Sequence, residues 1–259
     1  MGKVTTEQYS TPRYYEIAFD LNRKGEVDFL TWCFDQYAKR PVRRVLDLGA
    51  GTGPHLLRLA QRGYHMIGLD LSRENLAYVM ARARERGLDV ALLHANMSRF
   101  TLPQPVDAAI CMADSQGHLL TNELIVKHLR AVARALRPGG IYVFDRYIPS
   151  SWVNPARRWA WTKRRGKLTV RTTFSALEHV NNVSQVFQED LEFEVLENGA
   201  RRVHRQSHHS RMVFPQELKA LVALADGFQF VQWFSGFEPH QVLDRAKHPL
   251  MMVVVLRRK

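Results

Sequence analysis

Three glycines at the end of one short apolar run constrain this chain more than any other feature. The stretch "VLDLGAGTGPHLLRLA" (45–60) passes from a strand-like segment through Gly49, Gly51 and Gly53 into a helical pattern. Without a Cβ, main chain at such a turn can approach a ligand closely and aim N–H groups and a helix N-terminus at it. Spacing then narrows the ligand. The dinucleotide fingerprint G-x-G-x-x-G needs its third glycine where this chain has Pro54. A phosphate loop of the Walker type needs a Gly-Lys-Ser/Thr, and none follows.

The surrounding pattern alternates helix and strand. Residues 26–38 carry apolar side chains at helical spacing, 43–49 read as a strand, 54–63 as a helix ended by glycine and 64–71 as a strand. The helix predicted over 72–87 opens with Ser72 as its N-cap and Glu74 in its first turn, and closes at Gly87. Further strands are expected at 90–97, 106–114 and 140–146, with a helix over 122–140 stopped by Pro138-Gly139-Gly140. Strands alternating with helices of this length imply βαβ units and a parallel sheet. From 152 to 214 the texture changes to alternating β-branched, aromatic and charged residues with turn signals at "RRGK", "HVNN" and "ENGA", a meander of about four antiparallel strands. A helix over 215–228 and two closing strands return the chain to the main sheet.

No apolar run approaches the roughly 18 residues needed to cross a bilayer, and "MGKVTTEQYSTPRYY" holds no signal-type apolar segment and no polybasic cluster to support a lipid-anchor reading of its Met-Gly start. Cys33 and Cys111, the two cysteines, sit among apolar neighbours, so a reducing cytoplasm is expected.

Four motifs in order carry a resemblance. "VLDLGAGTG", "GLDLS" (68–72), "HANM" (94–97) and "LRPGGIYVFD" (136–145) resemble the class I S-adenosylmethionine-dependent methyltransferases over roughly residues 40 to 148. The resemblance implies an α/β fold: a Rossmann-like seven-stranded sheet with an inserted antiparallel β-sheet as lid. It implies an N-terminal helical segment (1–40) over the cofactor, a core formed by 41–151 and 213–259, and an insert over 152–212 that covers the pocket or builds a dimer interface. For S-adenosylmethionine it implies contacts from Asp47, Gly49, Ala50, Gly51, Gly53, Asp70, Leu71, Asn96, Met97 and Met112. Asp70 would accept from both ribose hydroxyls as a charged acceptor. Asp47 would organise the loop or meet the cofactor's ammonium. Asn96, where the family often has Asp, would accept from the adenine amine through its carbonyl oxygen, and Met97 would pack on the ring. "RYYEIAF" (13–19) resembles an N-terminal segment that folds over the cofactor in small-molecule members. Tyr14 and Tyr15 would line the site or simply pack there, and Arg13 or Arg23 would bind the methionine carboxylate.

The acceptor is read from "CMADSQGHLL" (111–120). Neither the Asn/Asp-Pro-Pro-aromatic motif of amine-directed nucleobase enzymes nor a Pro-Cys nucleophile is present, and no metal is expected. "DSQGHL" resembles a segment of members with an inserted sheet, amino-sugar N-methyltransferases included, which makes Asp114 and His118, with Tyr15, the candidate catalytic residues. The His-rich "VHRQSHHSR" (203–211) is explained without metal: a type I′ turn at Asn198-Gly199 sets Glu192 opposite Arg205 and Glu189 opposite His208.

Net charge is +12, from 37 Lys+Arg and 25 Asp+Glu. The surplus concentrates at "RRWAWTKRRGK" (157–167), near Trp152, Trp159 and Trp161. That pattern fits single-stranded nucleic acid, an anionic small acceptor, or a strand with Trp inward and Arg outward. The expected activity is methyl transfer to N or O of a small-molecule acceptor by a monomer or homodimer. An RNA methyltransferase, and a cofactor-binding interaction protein without turnover, are the alternatives.

Overall fold

The computed structural model describes residues 11–20, 22–148 and 157–259. Trp152, the Met-Gly start and the start of the insert at 152 lie outside the described residues. The chain runs α1 (Pro12–Ala18), α2 (Lys24–Tyr37), β1 (Arg44–Leu48), α3 (Pro54–Gln61), β2 (His65–Asp70), α4 (Arg73–Glu85), β3 (Val90–His94), β4 (Val106–Cys111), α5 (Asn122–Ala135) and β5 (Leu136–Tyr147). It continues through β6 (Arg157–Arg165), β7 (Leu168–Asn181), β8 (Val186–Glu197), β9 (Ala200–Arg211), α6 (Pro215–Ala225), β10 (Phe228–Phe234) and β11 (Met251–Arg258).

Seven strands form one sheet in the order β10-β11-β5-β4-β1-β2-β3. Its β1–β5 pairs are parallel, while β11 pairs antiparallel with β5 and with β10. Both faces are covered, which is why the strands read as near-continuous apolar runs. Along β1, Val45 joins the core beneath α2 and α3 while Leu46 joins the core beneath α5 and α6; Val143 and Tyr142 on β5 divide the same way. Chain order reverses between β1 and β4, and the carboxyl ends of strands at such a switch point open a ligand crevice.

The second sheet is the expected four-stranded meander, β6-β7-β8-β9. Asn198 and Gly199 take positive φ (49° and 81°), and the resulting register sets Glu192 opposite Arg205 and Glu189 opposite His208. Trp159 and Trp161 lie opposite Phe174 and Thr172 on one face of the sheet, and Trp159 stacks on Phe174.

Helix α5 ends sooner than its sequence pattern suggests. Leu136 to Gly139 already belong to β5, because the residue before a proline is pushed out of helical backbone and Pro138 does that to Arg137. Ser72 caps α4 as predicted, its hydroxyl accepting from the Asn75 N–H.

Helix α1 is held chiefly by the second sheet. Ile17, Ala18, Tyr14, Tyr15 and Phe19 share an apolar cluster with Leu168, Val170, Leu191, Phe193 and Val195. The Trp161 indole N–H donates to the Ala18 carbonyl at 2.8 Å, and Arg165 bridges Glu16 and Asp20 at 3.0 and 3.2 Å. Glu16 also pairs with Arg82 of α4 at 3.3 Å, tying this unit to the main sheet.

Candidate active site

The cradle is built by the turn between β1 and α3. Gly49, Gly51 and Gly53 have φ of 69°, 54° and 76°, backbone that a side chain strains. A Cβ on Gly49 would also stand 3.0 Å from Ser115 Cβ. The loop is fixed from β2: the Gly49 and Ala50 N–H groups donate to the Leu69 carbonyl, and the Gly51 N–H donates to Asp70 Oδ2 at 2.7 Å. Asp70 Oδ1 accepts from the Ser72 N–H at 2.8 Å. Burial raises the Asp70 pKa above the usual carboxylate range, and these backbone donors oppose the shift.

A cavity of about 470 Å³ opens over this turn. At one end it is lined by Leu71, Ala95, Asn96 and Met97. Asn96 Oδ1 accepts from the Ser98 N–H and hydroxyl at 2.8 and 2.7 Å. Because a backbone N–H can only donate, the oxygen must face Ser98, so it is taken and the amide N–H₂ is the group left for a ligand. This corrects the expected role of Asn96: it offers a donor where an acceptor was anticipated.

At the centre stand Asp47 and Arg23. Asp47 is buried, and burial together with Asp70 pushes its pKa up to about 7. Arg23 donates to Glu26 at 2.6 Å, and Glu26 meets His55 at 2.6 Å. The Arg23 Nε is buried and has no hydrogen-bond partner among the described residues. Arg13 instead pairs with Glu197, away from the cavity.

The far end is walled by Tyr15, Met112, Ala113, Ser115, His118 and the Ser207–His209 segment of β9. Ala113 and Asp114 both take left-handed backbone, φ 58° and 53°, a strain that clusters at functional sites. The buried Asp145 carboxyl accepts from both of their N–H groups. His118, in the turn Ser115–His118, lies ring to ring with His208 at a centroid distance of 5.0 Å.

Of the residues expected from the sequence, Asp47, Gly49, Ala50, Gly51, Gly53, Asp70, Leu71, Asn96, Met97, Met112, Tyr15 and His118 line this one cavity. Tyr14 and Asp114 do not. Tyr14 packs on His204 of β9 at 5.2 Å between ring centroids, because neighbouring residues on a helix point about 100° apart and Tyr15 takes the inward direction. Asp114 is turned onto Arg146, whose Nε lies 2.6 Å from its Oδ1. Arg146 is only 1 % exposed, and so buried a guanidinium requires a carboxylate partner.

Sequence reading missed three groups. The Arg23–Glu26–His55 chain gave no motif. His128, Tyr142 and Gln116 form a buried relay: the Tyr142 hydroxyl is 2.7 Å from both His128 Nε2 and Gln116 Nε2, and His128 Nδ1 is 2.9 Å from the Met97 carbonyl. It links the two ends of the cavity. Glu189 and His208 were legible as a cross-strand pair, but nothing local placed that pair against His118.

Residues 45–140 match the methyltransferase domain family. That stretch of the chain carries a methyltransferase domain. The glycine/sarcosine N-methyltransferase of Halorhodospira halochloris is 30% identical over 131 residues, 50% of this chain and 48% of that protein. The dTDP-3-amino-3,4,6-trideoxy-alpha-D-glucopyranose N,N-dimethyltransferase of Streptomyces venezuelae is 27% identical over 197 residues, 74% of this chain and 77% of that protein. A crystal structure of an S-adenosylmethionine-dependent methyltransferase from Clostridium acetobutylicum superposes with a TM-score of 0.79 at 18% identity, covering 95% of this chain and 96% of that one. Several curated relatives, at 29–33% identity, are spanned over only 41–48% of their own length. In this methyltransferase domain the glycine turn, Asp70 and the far wall of the cavity are the candidate functional parts.

Proposed function

We propose that this chain transfers a methyl group from S-adenosylmethionine to a nitrogen of a small-molecule acceptor. The observation that carries the reading is that one continuous cavity joins the bare glycine turn and Asp70 to a wall of ionisable side chains, Tyr15, His118 and His208. Its volume falls within the usual range for small-molecule sites.

The residues fit the cofactor. A Cβ at Gly49 would press on the Ser115 side chain at 3.0 Å. Asp70 lines the cavity beside the turn as a charged acceptor suited to a vicinal diol. The unpartnered buried Nε of Arg23 suits a carboxylate, the buried Asp47 suits an ammonium, and Leu71 and Met97 offer apolar faces to a flat base. When bound, the cofactor supplies a methyl group already activated on a sulfonium. What remains for the protein is to hold the acceptor in line, exclude water and manage one proton. Helix α1 and β9 close the far end over the Ser115–His118 turn. Tyr15, its pKa raised by burial, stays a neutral hydroxyl able to donate to or accept from the acceptor. His118 is held neutral, its pKa lowered to about 4 by burial.

The RNA alternative loses support from β6. Arg165 is engaged with Glu16 and Asp20, the Trp161 N–H with Ala18, and Trp159 with Phe174, so part of the charge and the stacking surface is used within the chain. Among the described residues no helix is long and apolar enough to cross a membrane.

The test is formation of S-adenosylhomocysteine with a panel of nucleotide-linked amino sugars, glycine, simple primary amines and unmodified tRNA. Turnover with an amine sustains the reading. Turnover with tRNA alone replaces it, and tight cofactor binding without transfer to any acceptor reduces the chain to a binding protein.

A further inference from the structure

Two imidazoles share the far wall of the cavity in different circumstances. His118 is hydrogen-bonded to the His209 backbone, and an extra proton there would be buried. His208, on the inner face of β9, has its Nε2 2.9 Å from a Glu189 carboxylate oxygen. Its other nitrogen, Nδ1, is buried and has no hydrogen-bond partner among the described residues, although the residue lines the cavity. With the Nε2–H given to Glu189, Nδ1 must carry the lone pair.

A carboxylate that orients an imidazole, leaving one ring nitrogen as an unpartnered acceptor on a residue that lines a cavity, is the arrangement a general base requires. We propose that His208, oriented by Glu189, takes the proton from the acceptor amine; this rests on the methyl-transfer reading above and assigns its base to the inserted sheet. Glu189 can do this because it stays ionised. The bonds from His208 and Ser210 hold its pKa below the usual range in spite of its burial. An imidazolium at position 208 is thus neutralised in place by a direct pair, whereas Glu189 acts on His118 only through space. The charged and titratable groups facing the pair are His118 from the Ser115–His118 turn, Asp114 and Arg146 behind it, and Tyr15 from α1.

The step balances as follows. An acceptor entering as R–NH₃⁺ gives one proton to His208 Nδ1, and the imidazolium formed pairs with Glu189. The freed nitrogen lone pair forms the N–CH₃ bond as the S–CH₃ bond breaks, its electron pair returning to sulfur. The product leaves as R–NH₂⁺–CH₃, and His208 passes its proton to solvent.

Two measurements on the full chain test this. The first is imidazole ¹⁵N–¹H correlation in the presence of S-adenosylhomocysteine at about pH 7.5, above the ordinary histidine pKa. His208 is expected as the Nε2–H tautomer, and Glu189→Gln should mix its tautomers. An Nδ1–H tautomer overturns the proposal. The second uses glycine and a dTDP-3-amino sugar as acceptors. His208→Gln should lower turnover roughly 100-fold and abolish the acid limb of the pH profile, with S-adenosylhomocysteine affinity kept within about twofold. Retained turnover with an intact acid limb overturns the assignment and leaves the methyl-transfer reading standing. If the wild-type chain methylates neither probe, the reading fails for those acceptors while the tautomer still decides His208.

Discussion

Replacing Asp70 with Asn looks conservative and is expected not to be. The two carboxylate oxygens serve two different backbone donors, Gly51 N–H at 2.7 Å and Ser72 N–H at 2.8 Å. Asparagine offers one oxygen and one N–H₂, so in either orientation one backbone donor faces another donor. An unpaired buried donor costs about 1–3 kcal/mol, so the empty protein should melt roughly 2–10 °C lower. The ribose diol also loses a charged acceptor, and a hydrogen bond to charge is worth about 1.5–3 kcal/mol. Affinity for S-adenosylhomocysteine should therefore fall roughly 10- to 150-fold, at 1.4 kcal/mol per tenfold. Calorimetric titration and thermal denaturation separate the two effects. A lower melting temperature with affinity within about threefold of wild type makes Asp70 a loop anchor and places the diol elsewhere. If neither quantity moves, the hydrogen-bond argument itself is wrong.

Asp47, with its pKa at about 7 in the empty protein, should give up a proton when the cofactor's ammonium settles beside it. Affinity for S-adenosylhomocysteine should then rise with pH up to about 7 and level off, and titrations near pH 6.5 in buffers of different ionisation enthalpy should show proton release; no exchange means the ammonium lies elsewhere. The same raised pKa makes Asp47's contribution to the empty protein's stability full below the ordinary carboxylate pKa and lost as pH rises through about 7. Tyr142→Phe removes the hydroxyl shared by His128 and Gln116 and should cost about 2–4 kcal/mol in denaturant unfolding; unchanged stability refutes the relay. Gly49→Ala should lower both stability and cofactor affinity, because its Cβ would press Ser115 at 3.0 Å. Gly63→Ala, at φ 90° with nothing within 4 Å of its Cβ, should lower stability alone by about 1 kcal/mol, and equal affinity losses in the two variants would remove the contact with Ser115 from the explanation.

What the sequence made legible and what it concealed divide along the range of the interaction responsible. The glycine turn, Ser72 at its cap and the Asn198-Gly199 turn act over two to four residues, and each appears where its local chemistry demands. Even the pairing of Glu189 with His208 follows from that one turn, because a two-residue hairpin fixes register along the whole of β8 and β9. Period-two reading stops there: it tells which face of β9 carries His208 and is silent on what lies across from that face. Asp114 shows the opposite error. Its position at the end of β4 suggested a carboxylate facing the reaction, but Arg146 sits at 1 % exposure on the neighbouring strand and has no water to solvate it. A charge so placed takes its counter-ion from whichever element comes nearest in space. Asp114 is thereby committed, which leaves the imidazoles of the turn and the inserted sheet, His118 and His208, among the groups lining the cavity. Catalytic assignment in this fold therefore turns on which buried cations have already claimed the acids, a question that pairs residues 32 apart in the chain and adjacent only after β4 and β5 have zipped together.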